Sequence, residues 1–212
     1  MDFFFQVIAI AIPVIYAITV HEVAHGLIAK GFGDFTASRQ GRLTLNPIAH
    51  IDMVGTVILP ALLVYLGGLV FGWAKPVPVN FSALRNPKRD MLWVAAAGPG
   101  ANLLMAIGWA LLLKLTLIAP ENYFSSPLEM MSKGGILINL VLMVLNLIPV
   151  PPLDGGRIAI SALPHAMAYN LAKLEPYGLL IIMLLMASGV LSSFMYPILG
   201  SIVGVLSFVF GI

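Results

Sequence analysis

Several long uncharged stretches restrict what this chain can fold into more than any other feature. Residues 176–212 carry no Asp, Glu, Lys or Arg over 37 positions, and residues 53–72, 91–113 and 134–153 are uncharged as well. A helix needs about 20 apolar residues to cross the hydrocarbon core of a bilayer. Charged residues make up 9% of the sequence, against roughly 25% in soluble domains. The chain is therefore predicted to be an integral membrane protein.

The apolar stretch at residues 3–29 is predicted to be a retained transmembrane helix. A signal peptide would begin with basic residues and end at a small-residue cleavage site. This stretch instead follows Met1-Asp2 and runs directly into His21, Glu22 and His25.

Together these stretches predict an all-α polytopic membrane protein with about five to six transmembrane helices. We expect a single domain over residues 1–212, with a core at 3–160 and a C-terminal helical pair at 176–212 that breaks near residues 192–193 and Pro197. The net charge is only +2, without the concentrated basic face of a nucleic-acid binder. Cysteine is absent, which excludes disulfides and thiolate ligands.

Basic residues in the connecting segments predict the orientation of the chain in the membrane. Segments 30–52, 73–90 and 154–175 are the basic ones, and basic loops favour the cytoplasm. Because two of them flank residues 53–72, that stretch is predicted to be a re-entrant or short β-like hairpin, bent at Pro60 or at residues 67–68. The alternative is an ordinary span that breaks the charge rule.

Residues 21–25, His-Glu-Val-Ala-His, form an HExxH motif. Residues four apart on a helix share a face, so both imidazoles reach one metal ion. Glu22 then lies beside the open coordination position, where it can deprotonate a bound water. Ionisable residues inside an apolar span mark functional sites, although a proton relay or buried polar packing is an alternative. Glu22 lies only about 12 Å along the helix from Lys30, which predicts an intramembrane site towards the cytoplasm.

A catalytic zinc ion takes three protein ligands, so a third ligand is required outside the motif. Without cysteine, it must be His, Asp or Glu. Among acidic residues that border apolar stretches, Asp154 is the best candidate. The prolines of segment 149–152 end the preceding helix, and residues 155–156, both Gly, allow a sharp turn before a new helix at about 157–168. The alternative is that Asp154 only caps that helix, and the residues alone leave both interpretations open.

Five segments resemble the site-2 protease family of intramembrane zinc metalloproteases. HEVAHG at 21–26, AGPGAN at 97–102 and NLIPVPPLDGGR at 146–157 are similar to the family as a whole. GRLTLNPIAHID at 41–52 and FGWAKPVPVN at 71–80 are similar to its small prokaryotic members. HExxH alone is moderately specific, and in combination with a downstream LDGG it is highly specific.

The resemblance implies a set of site residues and a cofactor. It implies one Zn²⁺ per chain held by His21, His25 and Asp154, with Glu22 as the general base. It also implies that Asn146 helps to bind substrate or to stabilise the oxyanion.

The resemblance further implies hydrolysis of peptide bonds within or near transmembrane segments of membrane-bound regulatory proteins. The expected partners are single-span membrane proteins and the lipid bilayer, with no nucleic acid. Many family members carry a PDZ domain or a pair of CBS domains, for which this sequence has no room. We expect a multi-pass protein of the cell membrane, with its active site within the bilayer towards the cytoplasmic side.

Two alternative functions use the same motif. A non-catalytic membrane metal carrier or sensor would use the same His/His/Asp site, but it would not need a glutamate fixed beside the metal. A protease of the prenyl-protein type normally takes its third ligand from a downstream Glu, and the LDGG segment argues against it.

Four other polar residues are expected to have structural roles. Asn102 is expected to form an interhelical hydrogen bond, and His50 and His165 are expected to be solvated or to cap helices. Arg157 is expected to anchor at the lipid headgroups or to pair near Asp154.

A substrate helix must unwind before it is cleaved, and its freed backbone groups then need partners. Segment 41–45 alternates like a strand, and the prolines of segment 75–79 require an extended backbone. Both segments are candidates for adding a strand to the unwound substrate.

Overall fold

A computed structural model describes residues 3–65 and 72–212. Within those residues, five helical segments are long and apolar enough to cross a membrane, which confirms an all-α polytopic membrane protein. They are Ile8–Gly31, Pro87–Ile118, Ser125–Asn146, His165–Ala187 and Val190–Phe210. The α-helices are α1 (Phe3–Gly31), α2 (Thr36–Arg39), α3 (Leu59–Tyr65), α4 (Pro87–Ile118), α5 (Ser125–Asn146), α6 (Asp154–Ala162), α7 (His165–Ala172), α8 (Gly178–Ala187) and α9 (Val190–Phe210).

Helices α1, α4 and α5 pack against one another and form the centre of the molecule. Small residues permit the close approach, since a Cβ on Gly135 of α5 would overlap the Trp109 ring of α4. Helix α9 packs on α4 and α5 through a buried apolar cluster that includes Ala110, Leu140 and Leu206. In lipid, such helix association depends on van der Waals contact and buried polar pairs. The buried polar residues of α1, α4 and α5 therefore also contribute to the architecture.

The C-terminal helical pair breaks earlier than predicted. Gly189, between α8 and α9, has φ 74°. This left-handed conformation favours glycine. Ser193 and Pro197 lie inside α9, and Ser193 Oγ donates a 3.1 Å hydrogen bond to Gly189 O. The predicted break near residues 192–193 and Pro197 is wrong, because the left-handed glycine sets the boundary.

The stretch at residues 53–72 is described only in part. Residues Met53–Ile58 form a π-helical segment that continues into α3. The candidate bend at residues 67–68 lies outside the described residues.

The two flanks of this stretch meet at the end of α1. The Arg85 N–H donates a 3.0 Å hydrogen bond to Phe32 O, and the Asn80 N–H donates a 2.7 Å hydrogen bond to Asp34 Oδ2. Both flanks therefore lie at the same end of the helix bundle, as a hairpin requires. This arrangement supports the re-entrant hairpin, which stays a prediction.

The predicted β-like character does not take the form of strands. Segments 42–46 and 72–80 are non-helical, and none of the residues in 3–65 or 72–212 belongs to a β-strand. Pro76 and Pro78 have no N–H to donate to a ladder. The Arg42 Nη2 instead donates to Lys75 O at 2.9 Å and to Pro76 O at 3.3 Å. A guanidinium group thus replaces the backbone donors that a partner strand would supply.

Candidate metal centre

The three predicted metal ligands meet between α1 and α6. The Nε2 atoms of His21 and His25 lie 3.1 Å apart. Asp154 Oδ2 lies 3.2 Å from His21 Nε2 and 3.3 Å from His25 Nε2. All three residues are buried, with exposed fractions of 7%, 9% and 9%. The fold therefore brings together a His/His/Asp group that could hold one metal ion.

The helix that carries Asp154 begins and ends earlier than predicted. We expected a helix at about 157–168, whereas α6 spans Asp154–Ala162. Pro164 accounts for the early end, because the residue before a proline avoids helical geometry. Asp154 itself lies in the first turn, where no side-chain capping bond forms at the preceding Leu153. The contacts of its carboxylate are with the two histidines.

Three glycines leave room for the loop that leads into Asp154 to pack closely against its neighbours. A Cβ on Gly155 would overlap Leu147 O, and a Cβ on Gly156 would overlap the backbone of Pro151. From the other side, a Cβ on Gly178 at the start of α8 would overlap Pro151 O. The predicted sharp turn at 155–156 is thus a helical turn, and its glycines allow the loop to lie directly against the helix.

Each histidine is oriented through its other ring nitrogen. His25 Nδ1 lies 2.7 Å from Val94 O, and His21 Nδ1 lies 2.6 Å from Asn102 Oδ1. An oxygen of this kind accepts a hydrogen bond, so both Nδ1 atoms carry the proton of the neutral ring. Gly98 leaves room for the two rings, since a Cβ there would lie 2.5 Å from His21 Cε1 and from His25 Nε2. In both rings the lone pair is consequently on Nε2.

A buried pair of asparagines fixes the orientation of the Asn102 amide, whose oxygen accepts the hydrogen bond from His21. Asn139 Nδ2 donates to Gly135 O at 2.8 Å, which leaves Asn139 Oδ1 to accept from Asn102 Nδ2 at 2.9 Å. Asn102 Nδ2 also lies 3.2 Å from Ala17 O. Both asparagines are 0% exposed. Asn102 therefore forms the expected interhelical bonds and also contacts a predicted ligand directly.

The donor atoms fit a tetrahedral zinc site. Two ligand atoms at about 2.05 Å from zinc are about 3.3 Å apart in a tetrahedron, which is close to the three separations observed. Asp154 Oδ2 is buried and has no hydrogen-bond donor among the described residues. Three lone-pair atoms thus face one point, and a cation there would satisfy all of them.

The Glu22 carboxylate lies beside this centre and is held by the backbone of the extended segment. The Val77 N–H donates a 2.7 Å hydrogen bond to Glu22 Oε2. Among the described residues, Oε1 accepts no hydrogen bond. Gly26 lets the segment approach α1, since a Cβ there would lie 2.8 Å from Val77 Cγ1.

Asp34 anchors the far end of the same segment. Its carboxylate accepts hydrogen bonds from the N–H and the hydroxyl of Thr36, at 2.9 and 2.5 Å, and from the Asn80 N–H at 2.7 Å. Burial opposes ionisation of Asp34, but these hydrogen bonds outweigh it and lower its pKa. The segment is thus attached at both ends to α1 and the loop that follows it.

A pocket of about 350 Å³ opens beside the ligands. Glu22, Asn146 and Arg157 line it together with segment 76–79. Asn146 donates through Nδ2 to Leu142 O at 2.9 Å at the end of α5, and it is half-buried. The pocket therefore contains every predicted site residue, and the catalytic role of Asn146 stays a prediction.

Some residues of this region differ from what the sequence led us to expect. Asn139 was not singled out, although a polar residue in an apolar span is a signal for a buried partner. His50 was expected to be solvated or capping, but it is 3% exposed, and Nε2 donates a 2.9 Å hydrogen bond to Thr44 O. His165 is exposed at the start of α7, as expected.

An all-helical membrane fold that gathers an HExxH motif and a distant aspartate into one buried centre defines a membrane metalloprotease scaffold. Comparisons with known proteins identify the family. Residues 117–189 match the profile described as "Peptidase family M50". No solved structure matches the chain.

Relatives cover nearly the whole chain. "Putative zinc metalloprotease YwhC" of Bacillus subtilis is 38% identical over 195 residues, which is 91% of this chain and 86% of that protein. "Putative zinc metalloprotease Rip2" of Mycolicibacterium smegmatis is 30% identical over 187 residues, or 86% of this chain and 68% of that protein. The protein of the same name from Mycobacterium tuberculosis H37Rv is 26% identical over 186 residues, with the same coverage. The chain belongs to peptidase family M50, the site-2 protease family, whose cofactor is zinc.

Proposed function

We propose that the chain is an intramembrane zinc endopeptidase. It hydrolyses peptide bonds within or near the transmembrane segments of single-span regulatory proteins. The observation that carries the proposal is the placement of Glu22. Its carboxylate lines the same pocket as the three converging ligand atoms of His21, His25 and Asp154. A metal carrier or sensor needs those ligands, but it has no use for a carboxylate held beside them.

Different residues of the chain perform different steps of the proposed hydrolysis. When bound to His21, His25 and Asp154, zinc would supply Lewis acidity towards the substrate carbonyl and acidify a water. Glu22 takes the proton of that water at Oε1 and passes it to the leaving amine. The Val77 N–H holds Oε2, so the carboxylate keeps one orientation through both transfers. Asn146 has a second N–H that can donate to the developing oxyanion.

The substrate backbone would be held by the extended segments. Unwinding a helix frees carbonyl and N–H groups that are costly to leave unpaired in the membrane. Segments 42–46 and 75–79 are non-helical and lie next to each other, joined through Arg42. An added strand along them would satisfy these groups.

The proposed location is the cell membrane, with the pocket open towards the cytoplasm. The basic segments 30–52, 73–90 and 154–175 support this orientation. We also propose that residues 1–212 act as a single protease domain surrounded by lipid, with no nucleic-acid partner.

The experiment uses Glu22→Gln as a substrate trap. The amide cannot accept the proton, but it is nearly isosteric and leaves the ligands in place. Candidate single-span proteins are coexpressed with the wild type or the variant. We expect fragments with the wild type, and the intact protein copurifying with Glu22→Gln.

Zinc content measured on both proteins provides the control, and it should be the same. Cleavage that persists in Glu22→Gln would exclude Glu22 as the base. Metal-dependent transport or signalling that survives in Glu22→Gln, without proteolysis by the wild type, would favour the carrier.

A further inference from the structure

Arg157 is the basic residue among those that line the pocket. It lies one helical turn after Asp154 on α6, so the two side chains emerge on neighbouring parts of the same face. Its guanidinium carbon lies 5.0 Å above the centroid of the Phe81 ring. The residue is half-buried at the edge of the pocket.

The guanidinium group has no acceptor of its own within the part of the chain that the structure describes. No carboxylate there lies within ion-pair distance of Arg157, and no carbonyl accepts from it; the described ion pairs involve His21, His25 and Lys133. A stacked guanidinium keeps its N–H groups in the plane of the fork, free to donate at its edge. This pocket therefore contains a cation, packed against Phe81, that has no oxygen partner among the described residues.

The chain already uses a guanidinium in the way that this arrangement suggests. Arg42 donates from one nitrogen to two successive carbonyls of an extended backbone, Lys75 O and Pro76 O. An unwound substrate lying beside Glu22 would present the same kind of acceptor on the α6 side.

We propose that Arg157 is a substrate-binding residue that donates to oxygen atoms of the unwound substrate beside the scissile bond. The inference rests on the proposed function, because it takes the pocket to be the substrate site. Two sources supply such oxygens, the main-chain carbonyls and an acidic side chain. Phe81 holds the guanidinium in place by a cation–π contact.

The test measures binding, so it does not depend on turnover. The full zinc-loaded chain in detergent is titrated with three hydroxamates. Acetohydroxamic acid contacts only the metal, an apolar tripeptide hydroxamate adds main-chain carbonyls, and the same tripeptide with one Asp adds a carboxylate. The variants are Arg157→Met, which keeps an unbranched apolar side chain, and Arg89→Met, which removes an exposed cation that does not line the pocket.

We expect Arg157→Met to weaken the tripeptide hydroxamate about tenfold or more, as for loss of a charge-assisted hydrogen bond. Acetohydroxamic acid should bind within about twofold of wild type, since a change below about twofold is small against that loss. Arg89→Met should change neither. Equal losses for the two tripeptides indicate main-chain carbonyls, and a larger loss for the Asp-containing tripeptide indicates the carboxylate.

Other results overturn the inference in distinguishable ways. If Arg157→Met weakens all three probes equally, Arg157 acts on the metal centre and not on the peptide part of the probe. If no affinity changes, Arg157 is a headgroup anchor. If the wild type binds zinc but none of the hydroxamates, the proposed function fails and the inference fails with it. Arg157→Lys separates charge from geometry, because it should restore only part of the tripeptide affinity.

Discussion

The Val77 N–H donates a 2.7 Å hydrogen bond to Glu22 Oε2, across 55 positions of sequence. This contact joins the HExxH helix to a segment whose neighbouring residues, Pro76 and Pro78, have no N–H to offer. The carboxylate of Glu22, the proposed general base, is thus oriented by a backbone group rather than by a side chain.

Val77→Pro is expected to lower kcat about tenfold or more, because a hydrogen bond to a charged group contributes roughly 1.5–3 kcal/mol. Zinc content should not change, since no ligand contacts this amide. Val79→Pro is the matched control, because the Val79 N–H makes no hydrogen bond among the described residues. Equal losses of kcat in both variants would show that backbone stiffening, not the Glu22 contact, is responsible.

The purified protein is expected to hold about one zinc ion per chain, because two His and one Asp form a three-ligand open site. His21→Ala, His25→Ala and Asp154→Ala should each lose it, as measured by elemental analysis. Asp154→Asn distinguishes the ligand from a helix cap, since Asn caps helices as well as Asp does. Full zinc retention in Asp154→Asn together with Asp154→Ala would remove Asp154 from the site.

Asn102→Ala is expected to weaken zinc binding by about 10–100-fold, because it removes the acceptor that fixes the His21 ring. Asn139→Ala is the comparison, as it breaks the same buried network one step further from the metal. We expect it to lower thermal stability to a similar extent but to change zinc affinity much less. Competition with a chelator measures the affinity, and equal effects of the two variants on zinc would contradict a specific role for Asn102.

The flanks of residues 53–72 are expected to lie on the cytoplasmic side. The chain has no native cysteine, so single cysteines report without background. An impermeant thiol reagent outside intact cells should label neither Ser38→Cys nor Ser82→Cys, and both should react once the membrane is opened. Tyr123→Cys, at a 77% exposed position in the connection between α4 and α5, should react from outside. Labelling of Ser82→Cys alone from outside would make the stretch an ordinary span.

Acid is expected to destabilise the protein partly through Asp34. Its pKa is lowered in the folded state, so the ionised carboxylate contributes stability above the ordinary Asp pKa. That contribution is lost as the pH falls through the lowered folded pKa. Thermal midpoints of wild type and Asp34→Asn, measured from about pH 7 to about pH 3, should therefore converge at the acidic end. A difference that stays constant with pH would contradict the charge contribution.

Features of the molecule that depend only on the spacing of nearby residues could be predicted from the sequence. His21 and His25 are four residues apart on one helix, and helical geometry alone predicts that both rings lie on one face. Because the chain lacks cysteine, Asp154 was the best candidate for the third ligand, with helix capping left open, and the structure brings its carboxylate to the two histidines. The break at Gly189 was missed, because a hydrophobic run does not reveal which residue will adopt a left-handed conformation.

Contacts between distant segments could not be read from the sequence. Nothing local to Val77 indicates that its amide faces Glu22, and nothing near Asn139 indicates that it supports Asn102. The strand-like alternation at 41–45 did not reveal its neighbouring segment either, because the contact with the proline-containing segment is made by the Arg42 side chain. Such outcomes depend on how the helices are placed, which periodicity does not encode.

The contact between Gly178 and the loop at Pro151 extends the support of the candidate metal centre into α8. A version shortened to residue 164 would keep His21, Glu22, His25, Asp154 and segment 76–79. It would nevertheless lose the contact that confines the Asp154 loop from the side of α8. The part of the chain that supports the candidate ligands therefore extends beyond Asp154, as far as the first turn of α8.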